Sequence, residues 1–334
     1  SVNRRISMFD VADHCGVSHQ TVSRVVNGTG SVSAKTREKV LAAIEELGYQ
    51  PNLAAKALAT GRTNTIGVLS YDSTLYGPTA MLHSIQVAAR DAGYQVVLNS
   101  VDNLSNSEIS VGIATLSRSN VDGIIVIAPR SSEADSKVAV ETRVPIVFTE
   151  TQDREPFEMV DVDQVGIAKA ATEHLIELGH QKIAHIAGNQ AWLAANRRKS
   201  GYLTTMAKHS FKTIAIAQGD WTPKSGYEAA KELLTGDKFT AIFVANDAMA
   251  IGALRALSEA GLRVPEDVSL VSVDDSAESE YMQPALTSVR QQFDLVGAGL
   301  LTKLLSQIEG LATSGPKRKL IPGILTSRAS AIRI

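Results

Sequence analysis

Short apolar runs rich in Val and Ile recur eight times from Thr65 onward, with helix-like segments between them, and this repetition limits the fold more than any other feature. The first set is "TIGVLSY", "YQVVLNSV", "DGIIVIA" and "VPIVFTE"; the second is "KIAHIAG", "KTIAIAQ", "FTAIFVA" and "DVSLVSVD". A strand with one wet face alternates apolar and polar residues. These runs are apolar throughout, so both faces must be covered. Alternation with amphipathic helices implies an α/β fold of parallel sheets, and two sets imply two doubly wound subdomains. The 334 residues exceed what one hydrophobic core serves. Near the end, "PKRKLI" reads as a solvated turn before a last strand.

The first 62 residues follow another rule. They carry eight Lys/Arg against five Asp/Glu, whereas the remainder carries 25 against 30. A weakly basic head on an acidic body suits a small module for a polyanion. Met8, Val11 and Ala12 give one helix an apolar side, which Gly16 ends; Ser18 can cap the next. Val22, Val25 and Val26 form the apolar side of that second helix. A turn, "NGTGSVS", leads to a third, capped by Ser33, amphipathic through Val40, Ala43, Ile44 and Leu47, and stopped at Gly48. Two helices on a short turn, braced by a third, form the helix-turn-helix pattern. "LAAKALATGRT" is too short to be stable as a lone helix and reads as a linker helix formed only with partners.

The outward residues of the second helix suit DNA. Gln20 matches the paired donor and acceptor of adenine in the major groove, Arg24 matches guanine, and His19 donates or accepts by tautomer. Ser18, Thr21, Ser23, Asn27, Ser33 and Thr36 suit phosphates, which position a helix without reading sequence. Three polar residues alone would describe any solvated helix face; here the whole 10–49 segment fits.

Several function classes are excluded. No apolar run approaches the ~20 residues that span a bilayer, so no membrane partner is expected. "SVNRRISMFD" has no apolar stretch after its basic pair and is not a secretion signal. Cys15, the one cysteine, forms no internal disulfide, fits a reducing cytoplasm and reads as a small buried residue. "GAGLL" at 297–301 is a glycine match inside a helix, without the strand that dinucleotide binding requires. No phosphate loop and no zinc-spaced His/Cys cluster appears, so no enzyme, metal or cofactor is expected.

The segment "DVADHCGVSHQTVSRVVN…VSAKTREKV…LGYQPN" resembles the DNA-binding domain of the lactose/galactose repressor family. The likeness continues in order through "EHLIELGHQKIAHIAG", "GDWTPKSGYEAA", "VANDAMAIGALRALSEAGLRVPEDVSLVSVDD" and "PALTSVRQQFDLVG". It implies a cytoplasmic, homodimeric repressor of double-stranded operator DNA, whose core folds like a periplasmic sugar-binding protein. The implied division is a helix-turn-helix at 1–48, a hinge helix at 49–64, a first core subdomain at 65–162 and 292–322, and a second at 163–291 and 323–334. The resemblance adds Tyr49, Asn52, Ala55 and Leu58 to the DNA contacts, Leu58 from each subunit wedging into the minor groove. No segment shows the sustained apolar heptads of a tetramerising tail.

The core implies a small molecule between its subdomains, where strand ends face a cleft. Asp274 and Asn246 fall at such ends, and Trp221 follows "GD" in a loop. An indole beside carboxylates, an amide and a guanidinium suits a sugar: the ring covers the apolar face and the charged groups take hydroxyls. Singly, a strand-end Asp or Asn caps a helix and a lone Trp fills a core. The resemblance assigns the effector to Glu150, Arg198, Trp221, Asn246, Asp274, Gln291 and Phe293, with Leu75, Pro78 and Met81 completing an apolar wall with Phe293. The chain departs from the family's sugar-site pattern at Ala194 (a hydroxyl there), Glu150 (a shorter Asp) and Ile127 (an Asn), so a related saccharide is expected, a galactoside or another β-linked sugar. His185, inside a strand, reads as a core or interface histidine. Two alternatives stay open: a purine or nucleoside effector stacked on Trp221, Tyr71 and Tyr76, and a sugar receptor without DNA.

Overall fold

The computed structural model describes residues 6–51, 57, 61–71, 74–102, 105–127, 142–150, 157–312 and 315–334. The chain divides into two compact units, Ser1–Thr63 and Asn64–Ile334.

In the first unit, α1 (Met8–Cys15), α2 (His19–Asn27) and α3 (Ala34–Leu47) each begin at a serine and end at a glycine in the left-handed region. Ser7 and Asp10 form a reciprocal cap on α1; Ser18 and Ser33 accept the Thr21 and Thr36 amides, each at 3.2 Å. Such caps satisfy amides that a short helix leaves orphaned. Val11, Cys15, Val22, Val25, Val40, Ala43 and Tyr49 make the small core between the helices.

The second unit holds two six-stranded sheets among the described residues. The first contains β1 (Thr65–Tyr71), β2 (Gln95–Val101), β3 (Gly123–Ile127), β4 (Ile146–Thr149), β5 (Glu158–Val162) and β11 (Arg318–Ile321), in the order β11-β5-β4-β3-β1-β2 and parallel throughout. The second contains β6 (Ile183–Ala187), β7 (Ile216–Gln218), β8 (Ala241–Val244), β9 (Ser269–Asp274), β10 (Thr287–Arg290) and β12 (Ile324–Thr326), in the order β12-β10-β9-β8-β6-β7, with only β12 antiparallel. The central strands are buried along their whole length, which is why they are apolar without alternation.

Helices cover both faces of each sheet. On the first, α4 (Tyr76–Asp91) contributes Met81, Ile85 and Ala89 to one side, and α5 (Asn106–Arg118) contributes Ile109, Ile113 and Leu116 to the other. On the second, α6 (Gln164–Glu177) and α7 (Leu193–Lys208) lie on one side, α8 (Pro223–Leu234) and α9 (Asp247–Glu259) on the other. After β10 the chain returns through α10 (Phe293–Ile308) to β11 beside β5, then crosses again to β12.

One reading of the sequence needs correction. Residues 318–321, taken for part of a solvated turn, are the edge strand β11, in register with Met159–Val162. An edge strand tolerates Arg318 and Lys319 because its side chains are only partly covered. The strands β5 and β10, "EMVDV" and "TSVR", also carry too many polar residues to stand out as apolar runs. Among the described residues no helix is long and apolar enough to cross a membrane.

Candidate functional site

Two regions carry functional side chains. In the head, α2 buries Val22 and Val25 and turns Gln20, Arg24 and Asn27 to solvent. The Arg24 stem lies over Gly30, where an added Cβ would stand 3.3 Å from Cδ. His19 stacks face-to-face on Phe9 of α1, centroids 4.3 Å apart and planes 18° apart. Asn27 donates to Ser23 Oγ at 3.1 Å, one turn back. Ser18 and Ser33 sit at helix N-termini, where orphaned amides and the helix dipole attract anions. A cationic and amide-bearing helix face beside two such termini can meet base edges and phosphates together.

In the second unit, residues at or just beyond the C-terminal ends of several strands line a cleft of about 380 Å³, part of it open to solvent. One side carries Leu75, Tyr76, Gly77 and Pro78, which follow β1, and Glu150, which follows β4. The other carries Trp192, Ala194, Arg198, Trp221, Asn246 and Asp274, with Gln291 where the chain crosses over. A crevice outside strand C-termini is where open α/β sheets hold ligands.

Arg198 organises it. It is 4% exposed; its Nε donates to Gln164 Oε1 at 2.8 Å, another nitrogen donates to the Ala245 carbonyl, and its guanidinium lies 5.5 Å from the centre of the Trp221 ring. Gln164 Nε2 donates to Gln291 Oε1 at 2.8 Å, and Gln291 Nε2 donates to Asp274 Oδ1 at 2.7 Å. Because arginine only donates and a carboxylate only accepts, the two ends of this relay set the orientation of both amides. Burial pushes the Glu150 carboxyl up to about 7, with Asp161 adding to the shift and Arg198 opposing it. Burial likewise raises Asp274 to about 7 against the pull of Arg198.

Three lining residues hold left-handed backbones: Glu150 (φ 55°), Trp221 (φ 78°) and Asp274 (φ 118°). Such conformations cost ~1–3 kcal/mol each and concentrate at functional sites. Asn246 caps α9 by accepting the Met249 amide at 2.9 Å, while its Nδ2 holds the Trp221 carbonyl at 3.1 Å. A Cβ at Gly188 would collide with the Trp221 ring, so that glycine makes room for the indole. Trp221 Nε1 and Glu150 Oε2 are buried without a hydrogen-bond partner. The site therefore offers a flat apolar plate, a held guanidinium, two carboxyls and an amide: donors and acceptors for a hydroxylated ring.

Residues 7–52 match the family "Bacterial regulatory proteins, lacI family", and 172–331 match "Periplasmic binding protein-like domain". The chain is 36% identical over 331 residues to the lactose operon repressor of Escherichia coli (strain K12), covering 98% of this chain and 91% of that one. It is also 36% identical to the HTH-type transcriptional regulator CelR of Thermobifida fusca, covering 98% of each. A lac repressor dimer bound to operator and the anti-inducer ONPF superposes with a TM-score of 0.89 at 36% identity, over 98% of this chain and 100% of that chain. The chain belongs to the lacI family of bacterial regulatory proteins. A complex of CelR with cellobiose gives a TM-score of 0.72 at 34% identity, over 98% of this chain and 100% of that chain.

Of the effector residues expected for this lacI-family chain, the structure brings Leu75, Pro78, Glu150, Arg198, Trp221, Asn246, Asp274 and Gln291 to one cleft. Met81 does not line it: one turn beyond Pro78, it faces the sheet and is wholly buried in the core. Phe293 starts α10 and lines a neighbouring cavity with Tyr76, Ala80 and Ser84 instead. Tyr49, expected at DNA, is buried in the head's core. Asn52, Ala55 and Leu58, and half of the expected hinge segment, lie outside the described residues.

The sequence reading missed Trp192 and Gln164. Trp192 had a signal, a large aromatic residue in the loop after β6; Gln164, a polar residue in a helix's first turn, had none. His185 is a core residue: burial pushes its imidazole down to about 4, its Nδ1 meets the Phe243 carbonyl at 2.9 Å, and Tyr202 and Phe243 stack beside it.

Proposed function

We propose that this chain is a transcriptional repressor that binds a palindromic operator as a homodimer and is released by a small neutral saccharide, a galactoside or another β-linked sugar. The observation that carries the reading is Arg198 held between an indole, an amide relay and carboxyls in a strand-end cleft. Its Nε and one terminal nitrogen are engaged within the protein and its charge faces the carboxyls of Asp274 and Glu150, which favours a neutral hydroxylated ligand over a phosphate. The lac repressor dimer has been seen bound to operator and CelR bound to cellobiose, and both relatives span nearly the whole chain.

In this reading residues 1–48 are the DNA-binding domain and 49–64 the hinge. Residues 65–162 with 292–322, and 163–291 with 323–334, are the two core subdomains. His19, Gln20 and Arg24 read bases; Ser18, Thr21, Ser23, Asn27, Ser33 and Thr36 hold phosphates; Leu58 from each subunit enters the minor groove. A repressor of chromosomal operators works in the cytoplasm. The saccharide touches both sides of the cleft, so it favours one subdomain orientation. It releases DNA only to the extent that it binds that state more tightly.

A thermal-shift screen of mono- and disaccharides against purines and nucleosides, followed by operator gel shifts with each hit, tests this. A stabilising sugar that lowers operator affinity is expected. Stabilisation by purines alone would move the effector to the nucleobase class and leave the repressor.

A further inference from the structure

Burial divides the cleft into two halves. Arg198 and Trp221 are 4% and 6% exposed, whereas Tyr76 is 42% exposed and Trp192 half-buried. The inner half holds the polar relay; the outer half is aromatic. Trp192 and Trp221 come from different loops, ahead of α7 and α8, and meet with ring centres 5.8 Å apart and planes inclined at 58°. Tyr71, at the end of β1 in the other sheet, meets Trp192 edge-on with ring centres 5.8 Å apart. Two inclined plates cannot both cover one flat ring, but each can cover one of two linked rings.

The position of Trp192 breaks a local rule. It is the residue before the first turn of α7, where Ser, Thr, Asp or Asn would accept an amide, and it makes no such bond. A bulky, half-exposed indole there is unfavourable in the empty cleft and becomes useful once a ligand covers it. Ala194, two residues on, adds only a methyl group to the same wall.

We propose that Trp192 is a specificity-determining residue of this cleft, adding to Trp221 a second aromatic plane that selects two-ring ligands, a disaccharide or an aryl glycoside, over single-ring sugars. The inference rests on the saccharide reading of the cleft. The first ring lies on Trp221 within reach of Arg198 and Asp274; the second lies on Trp192 toward Tyr76.

Calorimetry on the full-length protein tests this with matched probes: methyl β-glucoside against cellobiose, methyl β-galactoside against lactose, and the 4-nitrophenyl glycoside of each. In at least one series the two-ring members should bind about tenfold more tightly than the methyl glycoside, the size expected for one well-formed stacking contact. Trp192→Ala should erase that preference and leave the methyl glycoside within about twofold of wild type; Trp192→Phe should keep part of it. Unchanged operator binding and melting show that the variants are folded. Equal loss on both kinds of probe, or no loss, overturns the role of Trp192 and leaves the saccharide reading standing. Failure of every glycoside to bind the wild type removes that reading and this inference together.

Discussion

The head and the cleft solve recognition in opposite ways. On α2 the candidate contacts lie within one nine-residue helix, largely exposed, with hydrogen bonds that reach only three or four residues along the chain. In the cleft, Gln164 bonds Gln291 across 127 residues, and Arg198, Asp274 and Gln291 are all buried. A rigid target such as duplex DNA can be met by side chains that stay solvated until contact. A small molecule must be enclosed, so its partners are desolvated in advance and must satisfy one another. A single substitution should therefore act locally in the head and spread in the cleft.

Arg198→Ala is the sharpest way to break that contrast. It leaves Gln164 Oε1 and the Ala245 carbonyl without their donor and removes the positive charge that favours ionised Asp274 and Glu150, and removing one member of a buried charged set costs ~3–5 kcal/mol. Effector binding should fall beyond calorimetric detection while operator binding, read by gel shift, persists without induction. Saccharide affinity equal to wild type would dismantle the site.

Gly188→Ala should come next. The new methyl group collides with the Trp221 ring, and overpacking of this kind costs ~1–3 kcal/mol. Saccharide affinity should drop by about tenfold or more, with a changed Trp fluorescence spectrum and unaltered operator affinity.

Arg24→Ala probes the other side. It should cost ~1–3 kcal/mol on the cognate operator, little on random DNA, and nothing measurable in effector affinity or melting temperature. Equal loss on random DNA would make Arg24 a phosphate contact.

The smallest effect concerns pH. Glu150 and Asp274 are raised to about 7, so each binds a proton in the folded protein at a pH where the unfolded chain has released it. Folding stability contributed by their neutral forms is therefore lost as pH rises toward 7 and just beyond. Sugar hydroxyls donate to ionised carboxylates, so effector affinity should rise between pH 6 and 8, with proton release on binding. Titrations in buffers of differing ionisation enthalpy measure both; proton uptake would reverse the assignment.

Much of the fold was legible, because apolar runs, serine caps and terminal glycines act over a few residues. The eight apolar runs are strands of the two sheets, and the three head helices begin and end at their caps. What escaped was marginal locally: "RKLI" pairs as a strand only because β5 offers it an edge. The cleft divides the same way. Strand-end Asp274 and Asn246 are visible from position, while Met81 was misplaced because one turn of helix decides whether a side chain meets ligand or core.

What short-range physics controls is written in the order of residues: element type, the polar face of α2, the buried parallel strands, and the family. Which distant side chains share one cleft is settled by the folded chain. The relay from Arg198 through Gln164 and Gln291 to Asp274, the glycine that admits Trp221, and the Trp192–Trp221 wall join residues with no common local pattern. Hydrogen bonding and close packing act through space, and folding alone brings those groups within range.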